Sequence, residues 1–291
     1  GLKNFFQNYK INFFKFVDPK IVYTSIDNNI GFYKLKSLFP KIFFIADQNG
    51  MRNKKFYLSS KKNKKKLYSD ITFCFGNNEK LRLKKIINGK IFPLGNTINN
   101  CRKLPKMKKF KFKNIVLISS NDIIHFRKDL QILKELLTLS EKLKVKINFL
   151  DRPERNNKKF LYTKLKKNTL NYISNTNFNL NLYKNNSIFI FSHSTLGYEY
   201  LSIGLRVGCF NLNFLDHFNH KKYQSSGPFW VNTSKKEKLR KLILKISKLN
   251  NKEWKKISKK YSSQFLLYDK NNLRKKTIVK NLANDHRTYS I

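Results

Sequence analysis

Ser192-His193-Ser194-Thr195-Leu196-Gly197-Tyr198-Glu199 follows the apolar run Ile188-Phe189-Ile190-Phe191 and precedes Tyr200-Leu201-Ser202-Ile203-Gly204. An unbroken apolar run of this length reads as a strand buried on both faces, and the residues from 195 onward carry helical spacing. The polar residues between them form a tight turn, so the unit is strand, turn, helix. At a helix start the first backbone N–H groups lack intrahelical partners and the helix dipole is positive, so an anion binds there without a basic side chain. Ser192, His193, Ser194 and Thr195 add side-chain donors, and the turn suits a phosphate. Glu199, one turn into the helix, suits neutral hydroxyls such as a ribose diol. Gly204-Leu205-Arg206-Val207-Gly208 then stops the helix and feeds a second apolar segment over 207–212. The turn therefore lies at the carboxyl end of a parallel strand, where ligands of open α/β sheets bind. Ser and Thr are also the ordinary N-caps of helices in any α/β protein, and the turn alone does not separate the two readings.

The rest of the chain alternates in the same way. Short apolar runs at 21–26, 42–46 and 71–75 read as strands, with helices over 32–38 and 79–87 between and after them. Strands separated by helix-length polar segments imply βαβ units and a parallel sheet. The stretch 101–113, with Pro105 and many lysines, has neither period and reads as a linker. Alternation restarts with a strand at 115–119, a helix over 126–143 and a strand at 146–150. The tail over 235–283 is helical, with Leu239, Leu242, Ile243 and Ile246 spaced for one apolar face. Two domains are expected, residues 1–103 and 104–291. The opening residues, Phe5-Phe6 and Phe13-Phe14 among Lys and Asn, read as an amphipathic helix entered partway through a domain.

Composition narrows the partners. The chain has 62 Lys+Arg against 17 Asp+Glu, a formal charge of +45, with a pI near 10.2. Such a balance ordinarily points to nucleic acid or an anionic membrane. Here the excess is mostly Lys, spread along the chain and accompanied by abundant Asn, Ile and Phe, which is what AT-rich coding produces whatever the function. No recognised nucleic-acid module is present, and nucleic acid is not the expected partner. The basic region 54–66 with Phe56, Tyr57 and Leu58 is read as a face for an anionic inner leaflet, since each basic residue near such a surface contributes about 1 kcal/mol. Cys74, Cys101 and Cys209 are odd in number and form no C-x-x-C pair, so neither a disulfide framework nor a zinc site is indicated, and a reducing, cytoplasmic setting fits. His217 and His220 beside Asp216 read as surface histidines in a polar loop, and no metal or cofactor is expected. No apolar run approaches the roughly 20 residues that span a bilayer, and no signal peptide is visible.

The 192–199 segment resembles the donor-nucleotide motif in the second domain of two-Rossmann-domain (GT-B) glycosyltransferases and of the related non-hydrolysing UDP-GlcNAc 2-epimerases. Ala46 through Arg52 is similar to the epimerase segment in which a strand ends at a glycine, a hydrophobic residue and Arg, and Phe92 through Asn99 to the Gly-Asn-Thr junction closing the first domain. Asp27-Asn28-Asn29, Gln48-Asn49-Gly50-Met51-Arg52, Ser194-Thr195-Leu196-Gly197-Tyr198-Glu199 and Gly227-Pro228-Phe229-Trp230 together resemble the bacterial surface-carbohydrate biosynthesis proteins, a GT-B-like group. The resemblance implies an α/β fold of two Rossmann-like domains. The first strand and glycine-rich loop of the N-terminal domain are not visible, so that domain is expected to be incomplete. It also implies a nucleotide-sugar donor, with the diphosphate on Ser194 and Thr195 and the ribose on Glu199, aided by Ser192, His193 and Gly197. Sugar transfer with inversion needs a base for the acceptor hydroxyl, and Asp27 and Asp47, each at a strand end of the first domain, are the candidates. Either Asp has the alternative of capping a helix or pairing with a Lys. Arg52 and Arg152 follow strands and are candidate anion ligands, and His125 lies near the first turn of the second domain. The expected function is a glycosyltransferase acting on a glycan or lipid-linked acceptor. A nucleotide-sugar epimerase is the enzyme alternative, and a basic nucleic-acid-binding protein the third.

Overall fold

The computed structural model describes residues 2–52, 56–57, 67–120, 123–151, 170–174, 178–211, 226–232 and 236–288. The chain divides into two compact units, Gly1–Thr97 and Ile98–Ile291.

In the first unit α1 (Leu2–Val17) precedes β1 (Ile21–Thr24), α2 (Ile30–Leu38), β2 (Phe43–Asp47), β3 (Tyr68–Cys74), α3 (Asn77–Leu83) and β4 (Asn88–Pro93). The four strands are parallel in the order β1-β2-β3-β4. Strand order follows chain order, so among the described residues this sheet has no point where the order reverses. Phe44, Ala46, Phe73 and Cys74 are sealed off on both faces, as parallel strands between helices require. Phe14 of α1 lies 5.2 Å from Phe39 and 6.3 Å from Phe44, ring to ring, so the expected amphipathic helix does cover the sheet. Asn29 caps α2, its side chain accepting from Gly31 N–H at 2.9 Å. The membrane reading of the 54–66 region needs correcting at its aromatic residues. Phe56 is 8% exposed and belongs to the core, and Tyr57 packs against that core with its hydroxyl donating to Glu79. The lysines of that region lie outside the described residues.

The short α4 (Thr97–Asn100) leads into the second unit. There follow β5 (Asn114–Ile118), α5 (Ile123–Leu143), β6 (Lys146–Asp151), β7 (Leu170–Ser174), α6 (Leu180–Tyr183), β8 (Ser187–Phe191), α7 (Thr195–Ser202), β9 (Val207–Phe210), β10 (Trp230–Val231), α8 (Lys236–Lys248), α9 (Asn251–Phe265) and α10 (Leu273–Thr288). The stretch read as a linker has no helix or strand over 103–113 and is fastened to this unit. Lys108 N–H donates to Asn185 Oδ1 at 2.8 Å and Lys111 N–H to the Asn185 carbonyl at 3.0 Å.

All six strands are parallel, in the order β10-β9-β8-β5-β6-β7. The chain runs outward from β5 through β6 to β7, then returns to lay β8 on the other side of β5, with Ile115 opposite both Ile147 and Ile188. This is the 3-2-1-4-5-6 order of dinucleotide-binding folds, whose ligands bind where the order reverses. That point lies outside the carboxyl ends of β5 and β8. The helical tail covers the sheet as its spacing predicts, with Leu239, Leu242, Ile243 and Ile246 of α8 buried. A capping box of Asn250 and Glu253 starts α9. This helix backs α7 directly, since Trp254 Nε1 donates to the Gly204 carbonyl at 3.0 Å, Ser258 Oγ to the Leu201 carbonyl at 2.8 Å, and Phe265 stacks on Tyr198.

Candidate functional site

At the reversal point β8 ends with the buried Phe191, and α7 begins two turn residues later with Ser194 as N-cap in extended conformation (φ −146°, ψ 130°). A capping serine ordinarily accepts from an N–H of the first turn. Ser194 makes no such bond. Its Oγ is buried, the residue being 7% exposed, and has no hydrogen-bond partner among the described residues. A buried hydroxyl left in this state costs about 1–3 kcal/mol unless a ligand satisfies it. The helix is short and firmly ended: Gly204, at φ 86°, donates to the Leu201 carbonyl and Leu205 to the Tyr200 carbonyl, both at 3.0 Å. This is a Schellman stop, for which the left-handed glycine is the natural residue.

The other residues expected around the turn have separate tasks. Ser192, expected among the nucleotide ligands, is turned inward, its Oγ donating to Asp129 Oδ1 at 2.8 Å. Gly197 answers to packing: a Cβ there would stand 2.2 Å from Cδ1 of Phe191, beneath α7. Replacing Gly197 by Ala is therefore expected to lower stability by about 1–3 kcal/mol through overpacking. Urea unfolding checks this, and wild-type stability in the variant would mean that α7 does not seat on Phe191. His193 is half-buried, and Thr195 opens the helix. Glu199 is paired with Arg102, Oε2 to Nη1 at 3.3 Å. Its carbonyl accepts from Ser202 Oγ, which in turn accepts from Asn99 Nδ2.

Asp129 is the member of this region that pattern reading missed. It lies on α5 in line with the buried Ile132, Leu133 and Leu136, and is itself fully buried. A carboxylate inside an apolar helical stripe is the signal that points to it, because such a group is held only where donors meet it.

In the first unit, Asp27 and Arg52 form a buried ion pair with each other. Burial lowers the Arg52 pKa to about 10, so the guanidinium remains charged at neutral pH, and it lies over the Phe56 ring at 4.8 Å. The expected base and the expected anion ligand are thus mutual partners. Asp47 is also buried, at the end of β2, and its Oδ2 accepts from Tyr23 Oη at 2.6 Å and Thr97 Oγ1 at 2.7 Å. Gln48 braces the same strand end, accepting from Phe75 N–H at 2.8 Å and donating to the Gly50 carbonyl. Glu79, in the first turn of α3, is also buried. Burial raises its carboxyl pKa above the usual range, while the Tyr57 hydrogen bond, Arg52 and Arg82 oppose the rise. Arg152, His217 and His220 lie outside the described residues, as does the side chain of His125. Among the described residues no group of three or more His, Cys, Asp or Glu is arranged to hold a metal ion, and no helix is long and apolar enough to cross a membrane.

The family described as "putative O-antigen biosynthesis protein" matches residues 125–283, more than half of the chain. No curated protein matches it in sequence. Among solved structures, the chain is similar to the MnaA–UDP co-structure from S. aureus, with a TM-score of 0.59 and 12% identity over 94% of this chain and 77% of that one. It is similar to the UDP-GlcNAc 2-epimerase of Methanocaldococcus jannaschii in complex with UDP-GlcNAc and UDP, with a TM-score of 0.51 and 16% identity over 84% and 73%. A point mutant of S. aureus TarM, in complex with fondaparinux, α-GlcNAc-glycerol and UDP, gives a TM-score of 0.56 and 13% identity over 88% and 55%. At these identities the likeness is one of fold, the Rossmann-like GT-B type.

Proposed function

The chain belongs to this O-antigen biosynthesis family, and from that premise we propose that it is a GT-B-like glycosyltransferase, moving a sugar from a nucleotide-sugar donor to a glycan or lipid-linked acceptor. The observation that carries the reading is the buried, unpartnered Ser194 hydroxyl at the start of α7, beside the point where strand order reverses. A donor diphosphate satisfies that hydroxyl, the free N–H groups of the first turn and the dipole together. The same groups stabilise the charge that grows on the diphosphate as it leaves, which is where transfer needs most help. Thr195 and His193 add donors, and Glu199 takes the ribose. Of the two carboxylates expected as acceptor base, Asp27 is paired with Arg52, which leaves Asp47 as the candidate.

Titration calorimetry with UDP and UDP-sugars tests the site. A hydrogen bond to a charged group contributes about 1.5–3 kcal/mol, so Ser194→Ala is expected to weaken UDP binding roughly 10- to 150-fold while the protein stays folded. No binding of any nucleotide by the wild type, or unchanged affinity in the variant, would remove the site. The fold is shared with UDP-GlcNAc 2-epimerases, which makes epimerisation the second reading. A donor sugar whose configuration changes in the absence of acceptor would favour it over transfer.

A further inference from the structure

Two turns meet where the strand order reverses, one after β5 and one after β8, and in doubly wound sheets the first is the usual phosphate loop. Here the sequence after β5, Ser119-Ser120-Asn121-Asp122, contains no glycine. Its described donors point inward. Ser120 donates to Asp129 twice, from its N–H to Oδ2 at 2.6 Å and from its Oγ to Oδ1 at 3.0 Å. Ser119 N–H is held by the Leu150 carbonyl at 3.0 Å and its Oγ by the Ser120 carbonyl at 3.2 Å. From the β8 side, Ser192 Oγ reaches the same Asp129 Oδ1 at 2.8 Å and stands 3.2 Å from Ser120 Oγ. Two residues further on, Ser194 Oγ is the buried hydroxyl that this network does not engage.

We infer that Asp129 is a positioning residue of the donor site: by clamping Ser120 after β5 and Ser192 after β8 to α5 it withdraws Ser120 from anion binding and fixes the start of α7 as the place for the diphosphate. The inference rests on the donor-site reading above. A carboxylate accepts on both oxygens, so it holds one N–H and two hydroxyls at once, and charge-assisted bonds of this kind are short and strong. An amide cannot do the same, because one of its two ends donates. Either the Ser120 N–H or the pair of hydroxyls then faces another donor or must turn. Diphosphate binding is sensitive to such a change, since a site of fixed donors works only within about 0.5 Å of its productive geometry.

The test is a double-mutant cycle of Asp129→Asn and Ser192→Ala, read by calorimetric titration with UDP and with inorganic pyrophosphate. Each single variant is expected to bind both probes about tenfold more weakly, and the double variant no more weakly than the weaker single, because both changes release the same clamp. A residue that merely stabilises the fold shifts the melting temperature and leaves the affinity of the folded fraction unchanged. If wild type binds UDP and Ser194→Ala weakens it, yet Asp129→Asn binds as wild type or the two changes add, the clamp is overturned and the donor site stands. If wild type binds neither probe, the donor site and the clamp fall together. Should Asp129→Asn not fold, Ser192→Ala alone decides: wild-type affinity there overturns the inference.

Discussion

Replacing Arg206 by Ala is expected to destabilise the six-stranded unit by about 2–4 kcal/mol, from buried carbonyls left unmet and the cavity left behind. The residue is 1% exposed, just before β9. Its Nη1 donates to the Ile246 carbonyl at 2.6 Å, and its Nη2 to the Leu249 carbonyl at 2.7 Å and to Asn251 Oδ1 at 3.3 Å. Those carbonyls belong to the last turn of α8 and the connection to α9, where backbone acceptors lack helical partners and the dipole is negative. The guanidinium satisfies both and sits 4.0 Å over the Phe110 ring, with the Trp254 ring at 5.9 Å. Burial lowers its pKa to about 10, leaving it charged at neutral pH. Truncation removes the donors, leaves buried carbonyls unmet and opens a cavity, and these costs add. Arg206→Lys keeps a charge but cannot bridge two carbonyls with a planar fork, so it is expected to recover only part of the loss. Urea unfolding of the three proteins gives the comparison. A loss under about 1 kcal/mol in the alanine variant would show that the α8 end is satisfied by other groups. The residue matters beyond stability because α9, which it anchors through Asn251, is the helix that backs α7.

How legible this arrangement is in the sequence depends on the range over which each feature is decided. Strands β2, β5 and β8 are apolar on both faces, and that burial is written into consecutive residues such as Ser187–Phe191. The stop of α7 is equally local, since Gly204 alone supplies the left-handed conformation. Strand β7, Leu170–Ser174, escapes notice because it is an edge strand with polar Asn171 and Ser174 in an Asn-rich stretch. The return of β8 to the far side of β5 is a tertiary choice that no local pattern carries. The same division runs through the site. Ser194 is recognisable from a strand, a turn and a helix that are adjacent in sequence. The inward turn of Ser192 is not, because Asp129 stands 63 residues away. Asp27 and Arg52, each placed at a strand end, show their pairing only once β1 and β2 lie side by side. Phe56 and Tyr57 stand among lysines, and their role as core residues appears only with the partners they meet.

Glu199→Ala is expected to weaken UDP binding by an order of magnitude or more while leaving stability nearly unchanged. The carboxylate lies one turn from the Ser194 cap, and two ribose hydroxyls donating to it would contribute about 1.5–3 kcal/mol each. Arg102 is a weak competitor for it. Its side chain is 38% exposed and that of Glu199 13%, and an ion pair with one end so open to water contributes about 1 kcal/mol. A ribose therefore displaces the arginine at small cost, and the two halves of the pair are expected to respond with different signs. Arg102→Ala should leave UDP affinity equal to or above that of the wild type, because the arginine then no longer competes for the carboxylate. Inorganic pyrophosphate, which has no ribose, should bind Glu199→Ala as tightly as wild type. Calorimetric titration of the two variants with both probes separates the possibilities. Wild-type UDP affinity in Glu199→Ala would remove the residue from the donor site. An Arg102→Ala variant as impaired as Glu199→Ala would mean that the arginine, held by Glu199, is the group that meets the nucleotide.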